Sequence, residues 1–158
     1  MSCRSVALIP FVFLAGCASQ LTLPDNLTSE PTPAEWQVPA KALFRVVDSR
    51  GSPLGTFTLE LTTAPADTCI AGTWLRAKPI ASDLKVFDLN QWWRDESLAP
   101  SYQIAGRFLN VQLNGGHLCD DYFQVRAELT QQGGNGILES GGMFGGERYG
   151  SVSLERLQ

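Results

Sequence analysis

The sequence predicts an all-β fold, an antiparallel meander of about seven to nine short strands forming a small barrel or sandwich. Three observations carry this reading. From Lys41 onward, apolar and polar residues alternate with a period of two, the mark of a strand with one face in a core and one in water. Glycine-rich turn signals separate the successive runs. The runs follow one another mostly as consecutive hairpins, which favours a meander.

The elements follow in chain order. Residues 42–48 and 55–63 flank the turn Ser49-Arg50-Gly51-Ser52-Pro53. In the second run Phe57, Leu59 and Leu61 alternate with Thr56, Thr58, Glu60 and Thr62. Weaker strand signals cover 68–78 and 84–89. Residues 88–101 show no alternation and leave two readings open: a helical turn between Asn90 and Leu98 that covers one barrel end, or simply a long loop with packed tryptophans. Residues 101–104 give a weak strand. In 107–113, Leu109, Val111 and Leu113 alternate with Asn110 and Gln112, and Asn114-Gly115-Gly116 follows as a turn. In 122–130, Phe123, Val125, Ala127 and Leu129 form the apolar face. The turn Gln132-Gly133-Gly134-Asn135-Gly136, a strand over 137–143, the pair Gly145-Gly146 and a strand over 148–157 complete the chain. Glycines at such turns supply the positive φ of tight hairpins.

Size and charge bound the function. The chain has 158 residues, 44% of them hydrophobic and 18% charged, with a net charge of −4. This suits one domain of ordinary size. Without a basic excess to neutralise phosphates, nucleic acid is excluded as a partner.

The N-terminus carries an address. Arg4 precedes the apolar run 6–15, which is too short for a helix to cross a membrane and has the layout of a secretory signal. Leu14-Ala15-Gly16-Cys17 resembles the lipobox of bacterial lipoproteins. The resemblance implies cleavage before Cys17, lipid on its thiol and acylation of the new amino terminus. Several acyl chains make a durable anchor where one does not. Ala18, in place of Asp, is similar to the pattern of Gram-negative lipoproteins sent to the outer membrane, which puts the domain in the periplasm. Residues 1–16 thus read as signal peptide, 17–40 as a Pro-rich tether, and 41–158 as the domain. Trp36 is expected to pack onto the domain edge.

Of the four cysteines, Cys3 lies in the signal and Cys17 takes lipid, leaving Cys69 and Cys119 in an oxidising compartment. A Cys69–Cys119 disulfide is expected, worth about 4 kcal/mol in the chain-entropy model. The alternative, a pair of reactive thiols, lacks a Cys-x-x-Cys.

The search for catalytic chemistry yields little. His117, the one histidine, stands near Asp120 and Asp121, but a metal site needs three or four converging ligands, and a polar hairpin end is the plainer reading. Ser82-Asp83-Leu84-Lys85 matches Ser-x-x-Lys without its companion motifs, and no Gly-x-Ser-x-Gly is present. Adjacent acids, Asp95-Glu96 and Asp120-Asp121, point to opposite faces of a strand. The segment 141–146 (GGMFGG) bends a strand or lets backbone approach closely. No catalytic residue, metal or cofactor is expected.

Gly72-Thr73-Trp74 is similar to the Gly-x-Trp that opens lipocalin barrels, where the resemblance implies a Trp packed across the barrel base. Size, anchor, strands and cysteine pair also resemble in kind the small periplasmic lysozyme-inhibitor lipoproteins. No inhibitory-loop motif maps onto 140–150.

The expected function is therefore binding. In the first reading an open barrel holds a small apolar or amphipathic ligand, lined by Trp74, Phe108 and Phe123. In the second the domain is a protein-interaction module of the envelope, an inhibitor or assembly factor, contacting through Trp92-Trp93 or through the 141–146 segment with Phe144. A hydrolase using Ser82 or His117 would need those residues to converge in a cleft.

Overall fold

The period-two pattern folds into one closed sheet. The computed structural model describes residues 31–36, 39–114, 120–143 and 145–157. Eight strands follow in order: β1 (Ala40–Val47), β2 (Pro53–Pro65), β3 (Leu75–Ser82), β4 (Ser101–Ala105), β5 (Phe108–Gln112), β6 (Asp121–Leu129), β7 (Gly133–Gly142) and β8 (Gly145–Leu157). Each pairs antiparallel with the next, and β8 returns to β1, closing an up-and-down barrel. Of the two expected architectures the barrel is the one formed.

Alternation places the core. Ala42, Phe44 and Val46 of β1 point inward, as do Phe57, Leu59 and Leu61 of β2. Leu109, Val111, Phe123, Val125, Ala127, Leu129, Leu138, Val152 and Leu154 join them in one cluster. Phe44 lies opposite Phe57 in the ladder, and the two rings stack with centroids 4.5 Å apart. The lumen of an eight-stranded barrel is just wide enough for side chains to fill, and these are the side chains that point into it.

Both ends are closed. At the end where β1 begins, a 3-10 turn over Ala34–Trp36 inserts Trp36, only 1% exposed, under the barrel. Its indole N–H donates to the carbonyl of Thr130 at 2.7 Å, and the Thr32 hydroxyl donates to the carbonyl of Gly106 at 2.8 Å. Trp36 is therefore core, not an edge contact, and the structured domain begins before Lys41. Trp36 also takes the role that the lipocalin resemblance gave to Trp74.

The β3–β4 connection closes the other end. It contains α1 (Leu89–Trp92), capped by the Asp88 carboxylate accepting from the Gln91 N–H, and a second 3-10 turn, Glu96–Leu98. Leu89 is buried, and the indole of Trp93 donates to the carbonyl of Leu113 at 3.1 Å. Of the two readings of 88–101, the helical turn over the barrel end is the one formed.

Three strand expectations change. Residues 84–89 form a strap, not a strand. Leu84 turns into the core, and the Asp83 backbone runs so close to Gly55 (φ +124°) that a Cβ there would sit 2.5 Å from the Asp83 carbonyl. Residues 68–74 form a loop, because local bonds tie it to itself: Ala66 N–H to the Trp74 carbonyl at 3.0 Å, and the Trp74 indole to the Ala71 carbonyl at 3.1 Å. Gly133, Gly134 and Gly136 lie inside β7, because only glycine fits there; a Cβ at Gly134 would stand 2.6 Å from the Glu128 carbonyl. The turn itself is short, closed by the Thr130 N–H donating to the Gly133 carbonyl at 2.8 Å.

Because Trp36 seals one end of the core, Trp36→Ala is expected to destabilise the domain by about 3–5 kcal/mol. Urea unfolding would read this as a lower midpoint with a nearly unchanged slope.

Candidate functional site

The residues expected to line a lumen do not converge there. Phe123 points inward, but its ring is surrounded by Phe87 (centroids 4.1 Å apart), Trp92 (5.8 Å) and Tyr149 (5.6 Å). Phe108 alternates with the inward Leu109 and so faces outward, opposite Ala105 and Glu128. Trp74 is buried, but apart from the main cluster, beside its own loop. Trp92 and Trp93 are both half-buried against the core, one in the aromatic cluster and one bonded to Leu113, so they do not form an exposed aromatic pair. Cys69 is disulfide-bonded. Cys17, Phe144, His117 and the expected disulfide partner Cys119 lie outside the described residues.

The catalytic candidates have structural employment. The Ser82 hydroxyl accepts the Leu84 N–H at 3.2 Å, and the Ser82 carbonyl accepts the Asn90 side chain at 2.8 Å, which shapes the start of the strap. Lys85 donates its backbone N–H to Leu54. Asp120, Asp121, Asp95 and Glu96 are exposed. Among the described residues no three metal-ligating side chains cluster.

Two surface features remain. The first is a seam between β3 and β4, which share only the pairs Leu75↔Tyr102 and Arg76↔Ser101. Past Tyr102 the sheet parts, and a cleft of about 460 Å³ opens between Leu75, Gln103 and Ile104, floored by Trp36 and Tyr102. The Tyr102 hydroxyl donates to the Thr62 carbonyl at 2.6 Å, and burial pushes its pKa up to about 12. Neutral and fully engaged, Tyr102 is a wall of the cleft, not a reactive group.

The second feature is a three-stranded extension. β6, β7 and β8 continue past the barrel rim, pairing as far as Asp121↔Gly142 and Gly142↔Gly145. The β6 edge is sealed. Asn114 accepts the Phe123 N–H at 3.0 Å, donates to the Asp121 carbonyl at 2.9 Å, and is held by Gln112 at 3.0 Å. The β8 edge is different. Its pairing with β1 stops at Val47↔Ser151, so residues 145–149 have β7 on one side only. A notch of about 440 Å³ separates this edge from the β1–β2 turn, with Asp48 and Ser49 on one side and Arg148 and Tyr149 on the other. Met143, 75% exposed, stands at the hairpin end.

The charges around this edge are uneven. Glu139 lies opposite Arg148 in the ladder, but its carboxylate is taken by Arg126 at 2.7 Å and by Gln124 at 2.8 Å. Among the described residues no carboxylate is paired with the exposed Arg148. Asp48 is also occupied, accepting the backbone N–H groups of Arg50 and Ser52. The sequence places a strand over 148–157 but does not show that it starts at Gly145 or that its first residues lack a second neighbour; only the pairing reveals the open edge.

Compared with protein-family models, curated proteins and solved structures, the chain matches none.

Two titrations follow from the geometry. The folded Tyr102 sits above its ordinary value of 10, so its contribution is complete below pH 10 and is lost as pH rises through about 12. Stability should fall over that range, and Tyr102→Phe should remove that part of the fall while costing about 1 kcal/mol at neutral pH. Asp83 is held below its ordinary 3.8, first by the Thr56 N–H and then by the Thr56 hydroxyl. Its contribution is present above that value and is lost as pH falls through the folded one. Thermal melts in acid should therefore show a shallower decline for Asp83→Asn than for the parent chain.

Proposed function

We propose that this protein is a lipid-anchored, periplasm-facing module of the outer membrane that binds another envelope protein and catalyses nothing. The observation that carries the reading is the packed interior: the stacked Phe44–Phe57 pair and the cluster around Phe123 put large side chains inside the barrel, which favours the outer surface for binding. The lipobox-like Leu14-Ala15-Gly16-Cys17 supports the anchor and the compartment.

One observation favours a second reading. The β3–β4 cleft combines apolar walls, Leu75 and Ile104, with the carboxamide of Gln103, a lining suited to a small amphipathic molecule. On that reading the ligand sits in the side seam, not in the lumen.

Chemical cross-linking in intact cells, followed by gentle purification and native mass spectrometry, separates the two. A discrete protein adduct on a chain of otherwise bare mass is the expected result. A reproducible extra few hundred daltons, without protein adducts, would favour the seam ligand and sink the first reading. Cys17→Ala should move the chain from the membrane to the soluble fraction; a variant that stays membrane-bound would refute the anchor.

A further inference from the structure

We propose that the open edge of β8, residues 145–149, receives an extended segment of another polypeptide by strand addition, with a carboxylate of that segment set against Arg148. The inference rests on the envelope-module reading and names the surface and the form of its partner.

The argument begins with backbone chemistry. A strand paired on one side leaves alternate N–H and C=O groups pointing outward, ready to bind another chain. β8 is 13 residues long and β1 only 8, so the first part of β8, residues 145–149, lies beyond the end of its neighbour. Among the described residues nothing pairs with it on that side. The fold seals the opposite edge of the same extension with Asn114, through two hydrogen bonds to β6, and leaves this one open.

The surroundings fit an incoming strand. The notch beside Arg148 keeps the β1–β2 turn clear of the edge. Gly145 and Gly146 present no side chains to obstruct it, and Glu147 and Arg148 cancel in charge, so no net field repels an approaching chain. Main-chain bonds would supply affinity and side-chain contacts selectivity. Arg148 supplies the selective contact, since Glu139, opposite it in the ladder, and Asp48, across the notch, are already engaged.

A second copy of this chain is a poorer occupant. Two-fold antiparallel pairing sets one residue opposite its own copy. Centring on Glu147 or Arg148 would place like charges face to face, which destabilises a pair.

The test places a photoreactive benzoylphenylalanine in the full chain at Met143 or Ser49, which flank the edge, and at Lys41 and Lys78 as positions away from it. Irradiation of intact cells making the protein should give a heterologous adduct of one mass from Met143 and Ser49. Adjacent residues of a strand point their N–H groups to opposite sides, so one of Glu147→Pro and Arg148→Pro leaves the β7 ladder whole. That variant is identified by its nearly unchanged Tm, and it should reduce the adduct about tenfold. Arg148→Glu should reduce it two- to fivefold, and Arg148→Lys should retain most of it. Adducts that survive the ladder-sparing proline, or that have the mass of two copies of this chain, overturn strand addition by a partner. Adducts from Lys41 or Lys78 alone overturn the edge but keep the envelope-module reading; no protein adduct from any position overturns both.

Discussion

The pairing of β1 with β8 is the constraint on which the rest of the molecule depends. Seven hairpin contacts could exist in an open, twisted sheet, but only this ladder, from Lys41↔Leu157 to Val47↔Ser151, removes the two terminal edges. It joins the first strand of the domain to the last, so it forms at the greatest sequence separation and pays the largest loop-closure entropy. Phe44 sits at its middle, opposite Leu154 on one side and Phe57 on the other. The apolar gain of burying that row offsets the cost of closure, and the aromatic stack favours one register over its slipped alternatives.

Closure determines what the interior can hold. Eight strands make a narrow barrel, and large residues at Phe44, Phe57, Leu59, Leu61 and Leu109 occupy it. The ends are shut by chain that is not part of the sheet: Trp36 below, and the strap with Leu89 and Trp93 above. Of the aromatics that suggested a pocket, Phe123 is used in the core and Trp92 and Trp93 in the lid, while Phe108 faces outward and Trp74 packs beside its own loop. Surface concavities lie where the sheet is imperfect, among them the two-pair seam between β3 and β4 and the rim beyond the end of β1.

These imperfections share a cause. Strands of unequal length cannot all be paired along their full extent. β4 and β5 have 5 residues each, while β2 and β8 have 13. Each mismatch leaves backbone to be satisfied in another way. Asn114 does so for β6, and the 3-10 turn bearing Trp36 floors the seam. The β8 edge is the mismatch left to solvent, and it lies on the same extension as the exposed Met143.

The sequence by itself determined the fold class, the approximate strand positions and the inward residues. These depend on local alternation: Phe57-Leu59-Leu61 and Phe123-Val125-Ala127-Leu129 can face only one way on a strand. It also pointed to a helical turn at the barrel end, through the absence of alternation over 88–101. Tertiary structure alone decided the rest. Trp36 reads as part of a Pro-rich tether until a barrel base exists to receive it. Phe108 and Trp74 are apolar, but their side of the sheet follows from pairing, not composition. The glycines of 133–136 look like a turn because glycine permits both tight turns and close strand approach, and only the neighbouring Glu128 and Arg126 backbone distinguishes them. The free edge of β8 is least visible of all, since a hydrogen bond not made in the sheet leaves no mark in the order of side chains.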